Sequence, residues 1–143
     1  KNMPTSIINY VEGSRFTEDK RQRQDSPYRH LLRPKAGGIA FTLSAMGEQF
    51  TNLLDVTVVY PDAPDDVLFG VMNGKVRKII VRVRALPVPQ VDATRYFSES
   101  EYRVEFQRWL NQVWAEKDDQ IAALLQQHQQ LTDSATSTHT QLH

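Results

Sequence analysis

The longest apolar period in the chain is helical and lies toward its C-terminal end. Tyr102, Phe106, Trp109, Val113 and Trp114 recur at helical spacing, and Ile121, Leu124 and Leu125 extend the stripe. Ser98 with Glu101 three residues later has the form of a capping box, so the pattern predicts a helix over residues 98–131. Its polar side carries both signs, among them Glu101, Arg103, Glu105, Arg108, Lys117 and Asp118. A helix lying on a membrane surface is usually biased to Lys and Arg, so packing onto a sheet is the favoured reading. Residues 132–143 are rich in Ser and Thr and lack an apolar anchor, and they read as a disordered tail.

Upstream the period changes. Leu53–Tyr60 is a β-branched strand ended by Pro61, and Val76–Ala85 alternates, with Ile79, Val81, Val83 and Ala85 on one face and Lys78, Arg82 and Arg84 on the other. The second has the look of a half-buried or edge strand. Ile7–Val11 is a short apolar run suited to a further strand. Between them, Ile39, Ala40, Phe41, Leu43 and Met46 predict a helix that stops at Gly47. Residues 17–35 read as a charged loop containing Pro27 and Pro34, residues 62–66 as an acidic turn, and Asn73-Gly74 as another turn. Leu68–Met72 fits helix or strand. These elements predict an α/β fold: residues 1–97 form an α/β domain, residues 98–131 a helix packed on it, and 132–143 the tail.

Composition narrows the classes. The chain has 143 residues, enough for one domain with a core, and its formal net charge is zero. That balance argues against a dedicated nucleic-acid binder. With no cysteine there is no disulfide framework, thiolate metal site or Cys nucleophile. No His/Asp/Glu/Cys cluster has metal-ligand spacing, and no Walker or Rossmann glycine pattern occurs. No stretch approaches the ~20 apolar residues that span a bilayer.

The candidate chemistry sits where the first apolar run breaks off, at Glu12-Gly13-Ser14-Arg15. Ligands of open α/β sheets bind at the carboxyl ends of strands. Arg15 suits a phosphate because its planar fork donates two parallel hydrogen bonds, and Gly13 lets backbone approach a ligand. Glu12 and Arg15 are equally what a structural ion pair at a strand end would use. Lys20, Arg21, Arg23, Arg29, Arg33 and Lys35 follow, opposed by little but Asp25. They make either a solvated loop or a contact for an anionic surface such as lipid headgroups. Pro34-Lys35 with Gly37-Gly38 reads as a Pro-led helix start, whose N–H groups favour an anion. His128 and Asp133 spell His-x-x-x-x-Asp, but in a Gln-rich polar stretch at a fraying helix end, and the match is read as chance.

Val11-Glu12-Gly13-Ser14-Arg15-Phe16 resembles the Glu-Gly-Thr-Arg block of the glycerophospholipid acyltransferases, with Ser14 where threonine is commoner. His30-Leu31-Leu32-Arg33-Pro34-Lys35-Ala36-Gly37-Gly38 and Leu54-Asp55-Val56-Thr57-Val58-Val59-Tyr60-Pro61 resemble further blocks of that family in the same order. Trp109-Leu110 and Trp114-Ala115-Glu116-Lys117-Asp118 extend the likeness to about residue 120, nearest to an enterobacterial-type inner-membrane lysophospholipid enzyme. The resemblance implies the C-terminal half of a three-layer, mixed-sheet acyltransferase fold with a long C-terminal helix. It implies transfer of a fatty acyl group from acyl-CoA or acyl carrier protein to a lysophosphatidate-like acceptor, with no cofactor beyond that co-substrate. Glu12, Gly13, Ser14, Arg15, Pro34 and Lys35 would bind the acceptor, Arg15 taking its phosphate and Glu12 orienting Arg15 or the acceptor. The catalytic Asn-His-x-x-x-x-Asp motif is expected upstream of residue 1, so no catalytic residue lies in this chain, which would be inactive alone. The expected location is the cytoplasmic face of a bacterial inner membrane, held by segments outside this chain, with an anionic membrane surface as a further candidate partner. A reading from another class is a non-catalytic module that binds phosphate or acidic lipid.

Overall fold

The computed structural model describes residues 5–63 and 67–140. In chain order the elements are α1 (Glu18–Arg23), α2 (Ala36–Met46), β1 (Leu53–Val59), α3 (Val67–Met72), β2 (Ile80–Leu86), α4 (Ala93–Ser98) and α5 (Ser100–Thr140). The chain is thus mixed α/β, with a two-stranded sheet, β1 beside β2, and a long C-terminal helix. It divides into two units. One joins the residues through Leu53 to Pro87–Trp114, and the other joins Leu54–Leu86 to the chain from Ala115.

In the first unit, Ile7–Val11 forms no strand, contrary to its apolar pattern. Ile7, Ile8 and Tyr10 are exposed, Ile8 by 79%. A strand persists only where a neighbour takes up its N–H and C=O groups, and no described strand lies alongside this run. The charged stretch after it is not all loop. Thr17 caps α1 by accepting the Lys20 N–H, and Glu18 and Asp19 in the first turn match the helix dipole. Arg21 then pairs with Glu18 at 2.6 Å and Arg23 pairs with Asp19. Helix α2 follows Pro34 as expected and buries Ala36, Ile39, Ala40 and Leu43, while Phe41 faces outward.

The capping box at Ser98 does not form. Asp92 accepts the Arg95 N–H and starts α4 earlier, and Ser98 ends that helix with its hydroxyl on the Thr94 carbonyl. Helix α4 packs against α2, and Tyr96 meets Phe106 edge to face at 5.7 Å between centroids. Helix α5 buries Phe106, Leu110, Val113 and Trp114 here. Leu110 is 1% exposed, whereas Trp109 and Tyr102 are only partly buried. The buried face is therefore turned toward Leu110, and Trp109 lies at its margin against Phe106, 5.3 Å between centroids.

In the second unit, β1 turns Asp55, Thr57 and Val59 inward and exposes Leu54, Val56 and Val58. Strand β2 begins at Ile80 rather than Val76, and its apolar side is the outer one. Val81 and Val83 are more than half exposed, while Arg84 lies on the sheltered side. The cause is an ion network. The Arg84 guanidinium donates twice to Asp55, at 2.8 and 3.1 Å, and once to Glu116 at 3.0 Å. Lys117 donates to the other Asp55 oxygen at 2.7 Å and to the Val56 carbonyl at 2.8 Å. Asp55 holds the Arg84 guanidinium still further into its charged form. Buried charges persist only when paired and hydrogen-bonded, and here the pairing decides which face of β2 meets α5.

Leu68–Met72 resolves as the helix α3. It ends in a Schellman motif: Gly74 at φ +65° donates to the Val71 carbonyl, and the Lys75 N–H reaches the Gly70 carbonyl at 2.8 Å. Helix α5 continues past Leu131, where its apolar stripe ends, as far as Thr140. The expected disordered tail is thus helical through Thr140, although Leu131–Thr136 bury nothing. Residues 141–143 lie outside the described part.

Candidate functional site

The block 12–15 is shaped by a turn. The Gly13 N–H donates to the Tyr10 carbonyl at 2.9 Å, and Gly13 takes φ +70°, a conformation L side chains rarely adopt. The Val11 carbonyl accepts the Lys35 N–H at 2.9 Å, which ties this turn to the start of α2. A Cβ added at Gly13 would stand 3.4 Å from Lys35 Nζ and 3.7 Å from Lys35 Cδ. Lys35 thus lies across Gly13 at ordinary contact distance. The first two sequence blocks, distant along the chain, meet at this point.

Glu12 faces inward. Its Oε1 accepts the Leu32 N–H at 3.1 Å and the Trp114 indole N–H at 3.3 Å. Leu32 is fully buried and Trp114 nearly so. One carboxylate oxygen therefore fastens the turn to the loop before α2 and to α5. Pro34 is buried, and its carbonyl accepts the Gln107 side-chain amide at 3.2 Å. Tyr28 donates its hydroxyl to the Asn111 carbonyl at 3.2 Å. Buried Ser26 closes the 26–31 turn by donating to the Leu31 carbonyl at 2.8 Å. Glu12 and Pro34 are both held by partners on α5.

Ser14, Arg15 and Lys35 face outward. Among the described residues, no carboxylate pairs with the Arg15 guanidinium or with the Lys35 ammonium. The structural ion pair between Glu12 and Arg15 is not formed. The Arg15 backbone carbonyl accepts Lys20 Nζ at 3.2 Å, which steadies the chain just past the turn. Exposed cations beside a glycine turn are groups that can accept an anion. The rest of the basic stretch differs. Arg21 and Arg23 are paired within α1, and Arg33 donates to the Gln24 and Asp25 carbonyls.

Sequence reasoning missed Gln107, Leu32 and the anchoring role of Trp114. Trp114 lay on the apolar stripe of α5, but nothing in the sequence linked its indole to Glu12. His128 belongs to another part of the chain: Nε2 meets Asp62 at 2.8 Å and Nδ1 lies 3.3 Å from Lys78. It sits within α5 and not at a frayed end. Among the described residues no group of three or more His, Cys, Asp or Glu side chains is placed to hold a metal ion, and no helix is long and apolar enough to cross a membrane.

Known proteins resemble this chain. A 2-acyl-1-lysophosphatidylinositol acyltransferase of Saccharomyces cerevisiae is 24% identical over 132 residues, covering 80% of this chain and 32% of the yeast protein. The 1-acyl-sn-glycerol-3-phosphate acyltransferases delta of Bos taurus and Homo sapiens are each 27% identical over 117 residues, covering 76% of this chain and 29% of theirs. The chain spans about a third of the length of these curated relatives. No family model and no solved structure matches it. Over about three quarters or more of its length, including the blocks that meet around Gly13, the chain is thus similar to lysophospholipid and acylglycerol-phosphate acyltransferases.

Proposed function

We propose that this chain is the acceptor-binding part of an acyltransferase that moves a fatty acyl group from acyl-CoA or acyl carrier protein to a hydroxyl of a lysophosphatidate-like lysophospholipid. The observation that carries this reading is the pair of outward cations, Arg15 and Lys35, at a turn whose own carboxylate is turned inward. Arg15 grips the acceptor phosphate with two parallel hydrogen bonds, Lys35 adds a point charge, and Ser14 offers a hydroxyl beside them. The names of the relatives supply the chemistry, an acceptor that carries a glycerol phosphate or a phosphatidylinositol head.

In the reaction, the acceptor hydroxyl loses its proton to a base as its oxygen attacks the thioester carbonyl. The carbon–sulfur bond then breaks and the thiolate leaves with a proton. This chain's residues bind and orient the acceptor. The base is assigned to the His of an Asn-His-x-x-x-x-Asp motif outside it. The free face of the sheet, with Leu54, Val56 and Val58 exposed, is assigned to a further layer that completes a three-layer fold. Segments outside this chain hold the enzyme at the cytoplasmic face of its membrane.

The test is acceptor selectivity in the full-length enzyme. Arg15→Ala removes most turnover of lysophosphatidate, and Arg15→Lys restores only part, because a point charge cannot make the bidentate contact. An acceptor without the phosphate monoester loses far less. Equal losses on both acceptors would assign Arg15 to structure instead.

A further inference from the structure

The chain carries no net charge, yet residues 67–86 contain Lys75, Arg77, Lys78, Arg82 and Arg84 and no Asp or Glu. Phe69, Val71 and Met72 of α3 are 61, 50 and 77% exposed. Lys75 and Arg77 follow directly and are exposed too. Among the described residues, no carboxylate pairs with Lys75 or Arg77. The nearby Asp62 is bound to His128, and Arg84 is bound to Asp55 and Glu116. The Schellman motif at Gly74 fixes how α3 passes into the basic strand approach, so the exposed apolar residues 69–72 and the cations at 75 and 77 flank one defined turn. This arrangement differs from the basic stretch 20–35, whose arginines are engaged within the fold and whose exposed apolar side chains are few.

We propose that the α3 tip, Phe69, Val71 and Met72 with Lys75 and Arg77, is a docking surface for an anionic lipid bilayer. The apolar side chains enter the acyl boundary while the two cations pair with headgroup phosphates, the combination that gives amphipathic peripheral segments their preference for acidic membranes. Charge complementarity selects this occupant: a protein segment covering the same residues would need acidic groups placed opposite Lys75 and Arg77, which a bilayer supplies at any lateral position. The inference does not depend on acyl transfer, since it concerns other residues and is read without turnover.

The experiment is co-sedimentation of the 143-residue chain with vesicles of phosphatidylcholine containing phosphatidylglycerol, and with phosphatidylcholine alone. Circular dichroism confirms the fold of each variant. The chain is expected to bind the anionic vesicles more tightly and to release them in high salt, where the screening length shrinks to about 3 Å. Lys75→Glu with Arg77→Glu lowers that binding by at least about 25-fold, about fivefold for each cation lost. Phe69→Ser with Met72→Ser lowers it on both kinds of vesicle. Arg23→Gln with Arg29→Gln leaves it unchanged. No vesicle binding by the parent chain, no loss on charge reversal, or an equal loss in the Arg23/Arg29 variant would each overturn the proposal. So would sedimentation velocity showing that the tip instead joins two copies of the chain, with the dimer abolished by Phe69→Ser and Met72→Ser.

Discussion

Glu12 shows how much can depend on one side chain. Its Oε1 serves a buried backbone N–H and a buried indole N–H. A buried donor left unsatisfied costs about 1–3 kcal/mol. Glu12→Ala is therefore expected to lower stability by a few kcal/mol, read as a shift of the urea midpoint. Glu12→Gln, which keeps an acceptor oxygen, retains most of it. Arg15→Ala, whose guanidinium pairs with no described carboxylate, leaves the midpoint unchanged. A midpoint that moves for Arg15→Ala and not for Glu12→Ala would exchange the roles assigned to the two residues. Gly13 is constrained by its positive φ, at which an L side chain is strained.

At the scale of elements, the buried stripe of α5 decides what each aromatic is worth. It runs through Phe106, Leu110, Val113, Trp114, Lys117, Ile121 and Leu124. Leu110→Ala empties an enclosed site and is expected to cost about 2–5 kcal/mol. Trp109 reads as the natural centre of the stripe, but it is only partly buried at the edge of Phe106. Trp109→Ala is accordingly expected to cost less than Leu110→Ala. Chemical denaturation of the two variants side by side checks the order, and the reverse order would put Trp109 at the centre of the core. The same helix carries Lys117 on its buried side because Asp55 is there to receive it. A charge inside an apolar stripe reads as an interruption in the sequence, but as a cross-link once its partner is in place.

At the scale of the whole molecule, the proposal gives the cations at Arg15 and Lys35 the task of binding and orienting the acceptor, and it assigns the general base to a motif outside this chain. A positioned general base contributes about 100- to 10,000-fold to rate. The purified chain is therefore expected to turn over no lysophosphatidate with acyl-CoA, while lysophosphatidate still perturbs the NMR signals of Gly13 and Arg15. Turnover by the chain alone would require a base within it and would end the division of labour proposed above.

The sequence by itself determined what local periodicity and local chemistry can carry. It specified the existence of α5 and β1, the start of α2 after Pro34, and a glycine turn followed by an outward cation at Gly13 and Arg15. Each of these depends on residues within a few positions of one another. Tertiary structure decided the rest, because the deciding partner lies far along the chain. Ile7–Val11 had a strand's composition and no described strand beside it. Strand β2 had an apolar face that a periodicity argument turns inward, yet Arg84 reaches Asp55 and Glu116 and sets the opposite face against α5. Glu12 looked like a partner for Arg15, three residues away. It became an anchor because Trp114, about a hundred residues on, brings its indole N–H to the carboxylate, and a buried donor must be satisfied by whatever acceptor the fold places beside it.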